Sequence, residues 1–406
     1  MIFDNFGPYH LARLRAAAAT VSGLLAVEVA GSSAEYAWLR RTENGGLKTH
    51  EDGNLKMVTL LERGTSREVS NRELTTEMNQ ALDDCQPQTV FIPGWSSKAV
   101  FAALSWCVRH EVPAIVMSES TEWDSNRKTW SEGIKRQIVG LCSAALVGGR
   151  PHKDYMIKLG MPAERVFLGY DTVDNAYFRE NAEKLKAEAR SGYGLPEKYF
   201  LASARFIEKK NLPRLLQAFA RYREMAGKGE SGKQKAEIWD LMIVGDGEMR
   251  PALTALRSSL GLDASVLLPG FKQYPDLPAY YANAGAFIHA STTEQWGLVV
   301  NEAMASGLPV LVSNRCGCAA DLVREGVNGF TFDPHNVEEI ARLMLRISDF
   351  RFPISDFGAA SSRIIANWGP ERFASGVMAA VDCALKIGPK PASLLLRVIL
   401  RTLLAR

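Results

Sequence analysis

Short apolar runs, each followed by an amphipathic segment long enough for a helix, constrain this chain more than any other feature. They fall at 25–30, 89–92, 114–117, 144–147, 200–204, 240–244, 266–268, 286–290 and 310–312. Runs that are apolar throughout suit strands buried on both faces, and intervening helices imply parallel sheets covered on both sides. Ligands on such sheets bind beyond the carboxyl ends of the strands, so the loops after the runs are where chemistry is sought. With 406 residues, 47% of them hydrophobic, the chain has core material for two domains. The stretch 31–72 reads as polar and irregular, and 228–235 as a glycine- and charge-rich surface loop.

Composition excludes several classes. A net charge of +3 is too small to argue for a nucleic-acid partner. The six cysteines are scattered and do not form a secreted disulfide framework, so a reducing cytoplasm is the simpler reading. Cys316-Gly317-Cys318 has no second pair to complete a zinc site, and it reads as a tight turn with two buried thiols. No run is apolar enough to span a membrane. Asp4, Arg15 and Glu28 argue against a signal peptide at the amino terminus.

The stretch 286–309 is strand, polar loop, helix and stop: AFIHA, STTEQWG, LVVNEAMASGLP. Glu294 lies in the loop and Glu302 in the helix. A helix start carries unsatisfied N–H groups and partial positive charge, which suits the amides of Gly297, Leu298 and Val299 to an anion such as phosphate. One ligand can meet Glu294 at one end, the helix start in its middle and Glu302 at the other, the layout of a sugar, a diphosphate and a ribose. Carboxylates accept hydrogen bonds from hydroxyl pairs at both ends. The alternative for each glutamate is a solvated position.

The unit EQWGLVVNEAMASGLPV resembles the E-x7-E motif of retaining GT-B glycosyltransferases, especially those called family 4 or group 1. Arg205 and Lys210, across the loop after the 200–204 run, resemble the family's R-x4-K pair. Gly245-Asp246-Gly247 resembles its G-x-G segment, and 170–178 its inter-domain segment N-G-V-D-x-x-x-F. Gly7 resembles its glycine-rich first loop, with Pro8 where a second glycine is common. The resemblance implies two Rossmann-like domains facing a cleft. It divides the chain into an acceptor-side domain at 1–173, a linker at 174–197, a nucleotide-sugar domain at 198–369, a helix at 370–388 crossing back to the first domain, and a basic amphipathic tail at 389–406.

The activity implied is transfer of a sugar from a nucleotide diphosphate sugar to a carbohydrate or lipid-linked acceptor, with retention and with neither metal nor cofactor, in a bacterial glycan pathway. Arg205 and Lys210 would clamp the diphosphate, and Glu294 would meet the sugar. Glu302, Gly297, Leu298, Val299, Gly7, Gly270 and Phe271 would bind the donor. Many relatives carry a histidine after the strand that is 114–117 here. This chain has Ser118-Glu119-Ser120, and Glu119 is the residue expected to take that place, with His10 the next candidate. A nucleotide-sugar epimerase and a non-catalytic binding subunit remain open alternatives. The tail, with Arg397, Arg401 and Arg406 among leucines, suits either an anionic membrane surface at the cytoplasmic face or packing on the protein.

Overall fold

The apolar runs form strands because they are buried on both faces. A computed structural model of the protein describes residues 1–31, 49–61, 70–186, 192–227, 238–349 and 351–405. The loop expected at 228–235 lies outside them. The chain divides into one unit of Met1–Thr172 with Pro370–Arg406, and a second of Val173–Gly369.

The first unit holds two four-stranded sheets. In one, β1 (Ile2–Phe3), β2 (Leu24–Ala30), β3 (Thr49–Asp52) and β4 (Leu55–Leu61) run in the order β1-β2-β4-β3. In the other, β5 (Val90–Pro93), β6 (Ala114–Ser118), β7 (Cys142–Val147) and β8 (Val166–Leu168) run in sequence order. All neighbours are parallel except β3 and β4, an antiparallel hairpin closed by Gly53-Asn54. That hairpin corrects the reading of 31–72 as irregular. Its first strand, Thr-His-Glu-Asp, has no apolar residue and left no alternation to read, whereas the two-residue Gly-Asn turn was the available signal.

Helix Pro370–Ile387 closes the first unit's core, seating Phe373, Val377 and Ala380 among Phe3, Ile115 and Leu146. The last helix, Leu394–Ala405, packs on helix Lys98–His110, with Leu396 and Leu400 buried. No helix among the described residues is long and apolar enough to cross a membrane. Deleting the chain after Pro389 should therefore destabilise this unit. Two leucines fully buried at ~1.5–3 kcal/mol each set the scale, and a thermal melt unchanged by the deletion would refute the packing role.

The second unit is one six-stranded parallel sheet. It comprises β9 (Tyr199–Ser203), β10 (Asp240–Val244), β11 (Val266–Gly270), β12 (Ala286–His289), β13 (Val310–Ser313) and β14 (Gly329–Phe332), in the order β11-β10-β9-β12-β13-β14. The chain steps outward from β9 to β11, then returns to β9's other side at β12 and steps outward again. The order thus reverses between β9 and β12, the switch point where open α/β sheets bind ligands. Residues 175–185, placed by the sequence in a linker and partly in a solvated connector, form a helix of this unit. Its Phe178 is fully buried in edge contact with Tyr274 and Tyr281.

Candidate functional site

Glu294 follows β12, and Lys210 follows β9 through a short turn, so both stand at the carboxyl edge beside the switch point. They form a direct ion pair, each 12% exposed. Glu294 Oε2 also lies 3.2 Å from Nε2 of His289, the last residue of β12, and accepts from Ser291 Oγ at 3.3 Å. Burial by itself would raise the Glu294 pKa. The Lys210 ammonium and the His289 contact outweigh burial and hold the carboxyl well below its ordinary range. Burial lowers the His289 pKa, so the imidazole is neutral near pH 7. The site is thus an anionic carboxylate fixed by one cation and a neutral histidine.

Backbone latches hold these groups in register. Lys209 carbonyl accepts from the Thr292 amide at 2.9 Å, tying the β9 loop to the β12 loop. Asn211, in the left-handed region at φ 59, donates its side-chain amide to Ala290 O at 3.0 Å and Pro334 O at 2.8 Å. The Cys316–Cys318 turn serves Glu294: the Glu294 amide donates to Arg315 O at 3.1 Å, and the Gly317 amide donates to Glu294 O at 3.1 Å. Both cysteines are buried, and neither is in a disulfide. Among the described residues no three His, Cys, Asp or Glu side chains gather as a metal site.

The helix Leu298–Ala305 begins at Gly297, whose φ of 101° favours glycine strongly. A Cβ there would stand 3.5 Å from Glu294 Cγ and 3.7 Å from His289 Nε2, so the helix start lies directly against the carboxylate network. The first-turn amides of Gly297, Leu298 and Val299 therefore lie close to it. Trp296 braces the turn from behind, donating to Asn301 Oδ1 at 2.8 Å and packing on Trp368.

Arg205 sits in the same β9 loop, half-buried, and the turn Gly245-Asp246-Gly247 fixes its neighbours. Ala204 N donates to Val244 O at 3.0 Å, and Phe206 N donates to Asp246 O at 2.7 Å. A Cβ on Gly245 would meet Ala204 O at 1.8 Å, so the G-x-G segment is required by this close approach. Gly270 ends β11, and Phe271 follows, 40% exposed.

Glu302, the residue expected at the ribose, is enclosed. It is 0% exposed, and Tyr281 donates its hydroxyl to Oε2 at 2.6 Å. The helix is packed by helix Asn175–Leu185, whose Phe178 touches Tyr281.

In the first unit, Glu119 follows β6 and is half-buried. Gly7 precedes the helix Pro8–Ala18. Its φ of −113° is ordinary extended backbone, and its amide already donates to His10 Nδ1 at 3.1 Å. His10 packs edge-on against Phe3, and burial together with Arg13 takes its pKa down to about 3. It is therefore a neutral capping residue. The same device recurs at the Arg150–Lys158 helix, where Gly149 N donates to His152 Nδ1 at 3.1 Å.

This architecture matches known proteins. It superposes on Anabaena HepE in complex with UDP, with a TM-score of 0.63, 18% identity, and 81% of this chain and 86% of that one covered. It superposes on sucrose-phosphate synthase of Thermosynechococcus elongatus, with a TM-score of 0.66, 18% identity and 90% of each chain covered. The fold is GT-B. Within the GT-B chain, residues 184–351, nearly all of the second unit, match the family model of glycosyl transferases group 1. A glycosyltransferase of Methanocaldococcus jannaschii is 30% identical over 195 residues, 47% of each chain. The alpha-D-kanosaminyltransferase of Streptomyces kanamyceticus is 25% identical over 252 residues, 59% of this chain and 62% of its own. The GT-B chain thus spans about half the length of the curated relatives it matches.

Several residues of the GT-B site lay outside the sequence reading. His289 read as a satisfied core histidine, yet it touches Glu294. Its position as the last apolar-run residue before the Glu294 loop was the available signal. Tyr281 and Asn211 left none, because their partners lie 21 and 79 residues or more away.

Proposed function

We propose that this protein is a retaining, metal-independent glycosyltransferase that moves a sugar from a nucleotide diphosphate sugar to an acceptor hydroxyl. The observation that carries the reading is the Lys210–Glu294 pair at the β9/β12 switch point, against the start of helix Leu298–Ala305. Arg205, Lys210 and the helix amides are suited to the negative charge that builds on a departing diphosphate. Glu294 is suited to the sugar hydroxyls. The group 1 match over 184–351 supports the same assignment. HepE structures with UDP and with UDP-glucose show that this fold accommodates a nucleotide sugar.

In the reaction the C1–phosphate bond breaks and a bond from the acceptor oxygen to C1 forms on the same face. The acceptor proton passes to the departing phosphate oxygen, and no metal is required because protein cations neutralise the leaving group. An envelope or exopolysaccharide glycan is the acceptor class we assign, by analogy with relatives such as the amylovoran glycosyltransferase AmsK of Erwinia amylovora. The test is incubation with UDP-, GDP- and ADP-sugars and a panel of glycoside acceptors in EDTA. NMR should show a new glycosidic bond with the donor's anomeric configuration. An altered sugar nucleotide formed without acceptor would instead establish an epimerase, and inversion or metal dependence would refute the mechanism.

Glu302 is assigned to the ribose, with Tyr281 orienting its carboxylate and local opening exposing it. Glu302→Ala should weaken nucleoside diphosphate binding by on the order of 1.5–3 kcal/mol, the range for hydrogen bonds to a charged group. It should also lower stability, since the Tyr281 hydroxyl loses its buried partner. Unchanged calorimetric affinity in a folded variant would sink the assignment.

A further inference from the structure

The carboxyl of Glu294 is held by one of its two oxygens. Lys210 Nζ donates to Oε2, Ser291 Oγ donates to it at 3.3 Å, and Nε2 of His289 lies 3.2 Å from it. Oε1 takes none of these contacts. It is not among the enclosed unpartnered oxygens of the described residues, and the side chain keeps 12% of its surface, so Oε1 stays open to a ligand.

The place of the proton on His289 follows from its neighbours. The imidazole ends β12, is 3% exposed, and is kept neutral by burial, so one ring nitrogen carries a proton and the other a lone pair. An ionised carboxylate only accepts, and the 3.2 Å contact is therefore attractive only with the proton on Nε2. Ser291, 0% exposed, gives its one hydroxyl proton to Glu294 and accepts from the same Nε2 at 3.2 Å. The three residues are not a nucleophile relay. A relay places the hydroxyl and the carboxylate on opposite ring nitrogens, whereas here both meet Nε2.

Charge explains why neutral donors stand beside Lys210. The ammonium pairs with Glu294 in the free protein and, in the transferase reading, also serves the donor diphosphate. Turned toward phosphate, it loosens its hold on Oε2. His289 and Ser291 carry no charge, so a phosphate does not draw them away, and Glu294 keeps its orientation through them.

We propose that His289 and Ser291 are positioning residues that hold Glu294 by Oε2, so that Oε1 alone meets the donor sugar, at one hydroxyl rather than bidentately at a neighbouring pair. The proposal deepens the transferase reading above and rests on it for its link to turnover.

NMR of the full-length protein with 15N-labelled histidine tests the arrangement first. At neutral pH the His289 ring should be neutral with its proton on Nε2. The ring is assigned by its loss in His289→Gln or, should that variant not fold, through its own backbone resonances. A proton on Nδ1 alone, or an imidazolium, overturns the proposal whatever the variants do. Kinetics tests the role. His289→Leu should lower kcat about 10²-fold, the scale of a misplaced reacting group, with calorimetric affinity for the nucleoside diphosphate unchanged. His289→Gln, whose amide can donate to Oε2, should recover most of that loss. In a Glu294→Ala background His289→Leu should cost little more, because a residue that acts through another is not additive with it. Losses that multiply, or a Gln variant as slow as the Leu variant, would make His289 a core residue only and overturn the proposal. Among donor analogues each lacking one sugar hydroxyl, one should be turned over almost equally by wild type and Glu294→Ala. If every analogue shows the full Glu294→Ala loss, the single-hydroxyl contact is refuted. A proton found on Nε2 in a protein that transfers no sugar would leave the hydrogen-bonded carboxylate standing and refute the transferase reading instead.

Discussion

Lys210→Ala should lower turnover by about 10²–10³-fold, the loss expected when a donor aimed at developing negative charge is removed, and it should also destabilise the fold. The stability effect follows from Glu294. Removing the partner of a largely enclosed ion pair leaves a buried charge uncompensated, which costs about 3–5 kcal/mol. The sign of its pH dependence is fixed by the pKa shift. Glu294's folded pKa lies below the ordinary carboxylate value of 4.5. Its contribution is therefore present above 4.5 and is lost as pH falls toward the folded value. In the variant, burial dominates and the Glu294 pKa moves up. The wild-type advantage in chemical denaturation should accordingly be largest near pH 7 and shrink toward pH 4. A difference that does not change with pH would mean that Lys210 stabilises by packing and not by pairing with Glu294.

Arg205→Ala should behave differently. The loop around it is fixed by backbone bonds of Ala204 and Phe206 to the β10 turn, which the substitution leaves in place. Turnover should fall by about 10²–10³-fold through loss of charge at the leaving diphosphate, while the melting temperature stays near that of the wild type. Near-normal turnover in a folded variant would remove Arg205 from the clamp. A melting temperature lowered as much as in Lys210→Ala would make it a structural cation.

The architecture was legible because buried parallel strands are dominated by apolar residues. The strand at 286–290 and its glycine-stopped helix were readable residue by residue, down to Gly297 as the helix start. What the sequence concealed was how motifs meet. Lys210 and Glu294 are 84 residues apart and appeared as parts of separate motifs with separate roles. The pairing of β9 with β12 and the latches from Lys209 to Thr292 and from Asn211 to Ala290 bring them into contact. Burial of polar side chains was equally hidden. Glu302 reads as a helix-face glutamate, and nothing in its own segment says that Tyr281 covers it. Asp171 sits in a recognisable segment, but its enclosure with Arg13 depends on a residue far earlier in the chain.

The central claim is that the β9/β12 edge of the second unit binds a nucleoside diphosphate through Arg205, Lys210 and the start of helix Leu298–Ala305. Calorimetric titration of the full-length protein with UDP, GDP and ADP in EDTA tests it most directly. The account predicts saturable binding of at least one of the three, weakened about tenfold or more in Arg205→Ala by loss of a charge-assisted contact. No binding of any of them to the folded protein, or an affinity unchanged in the variant, would contradict it.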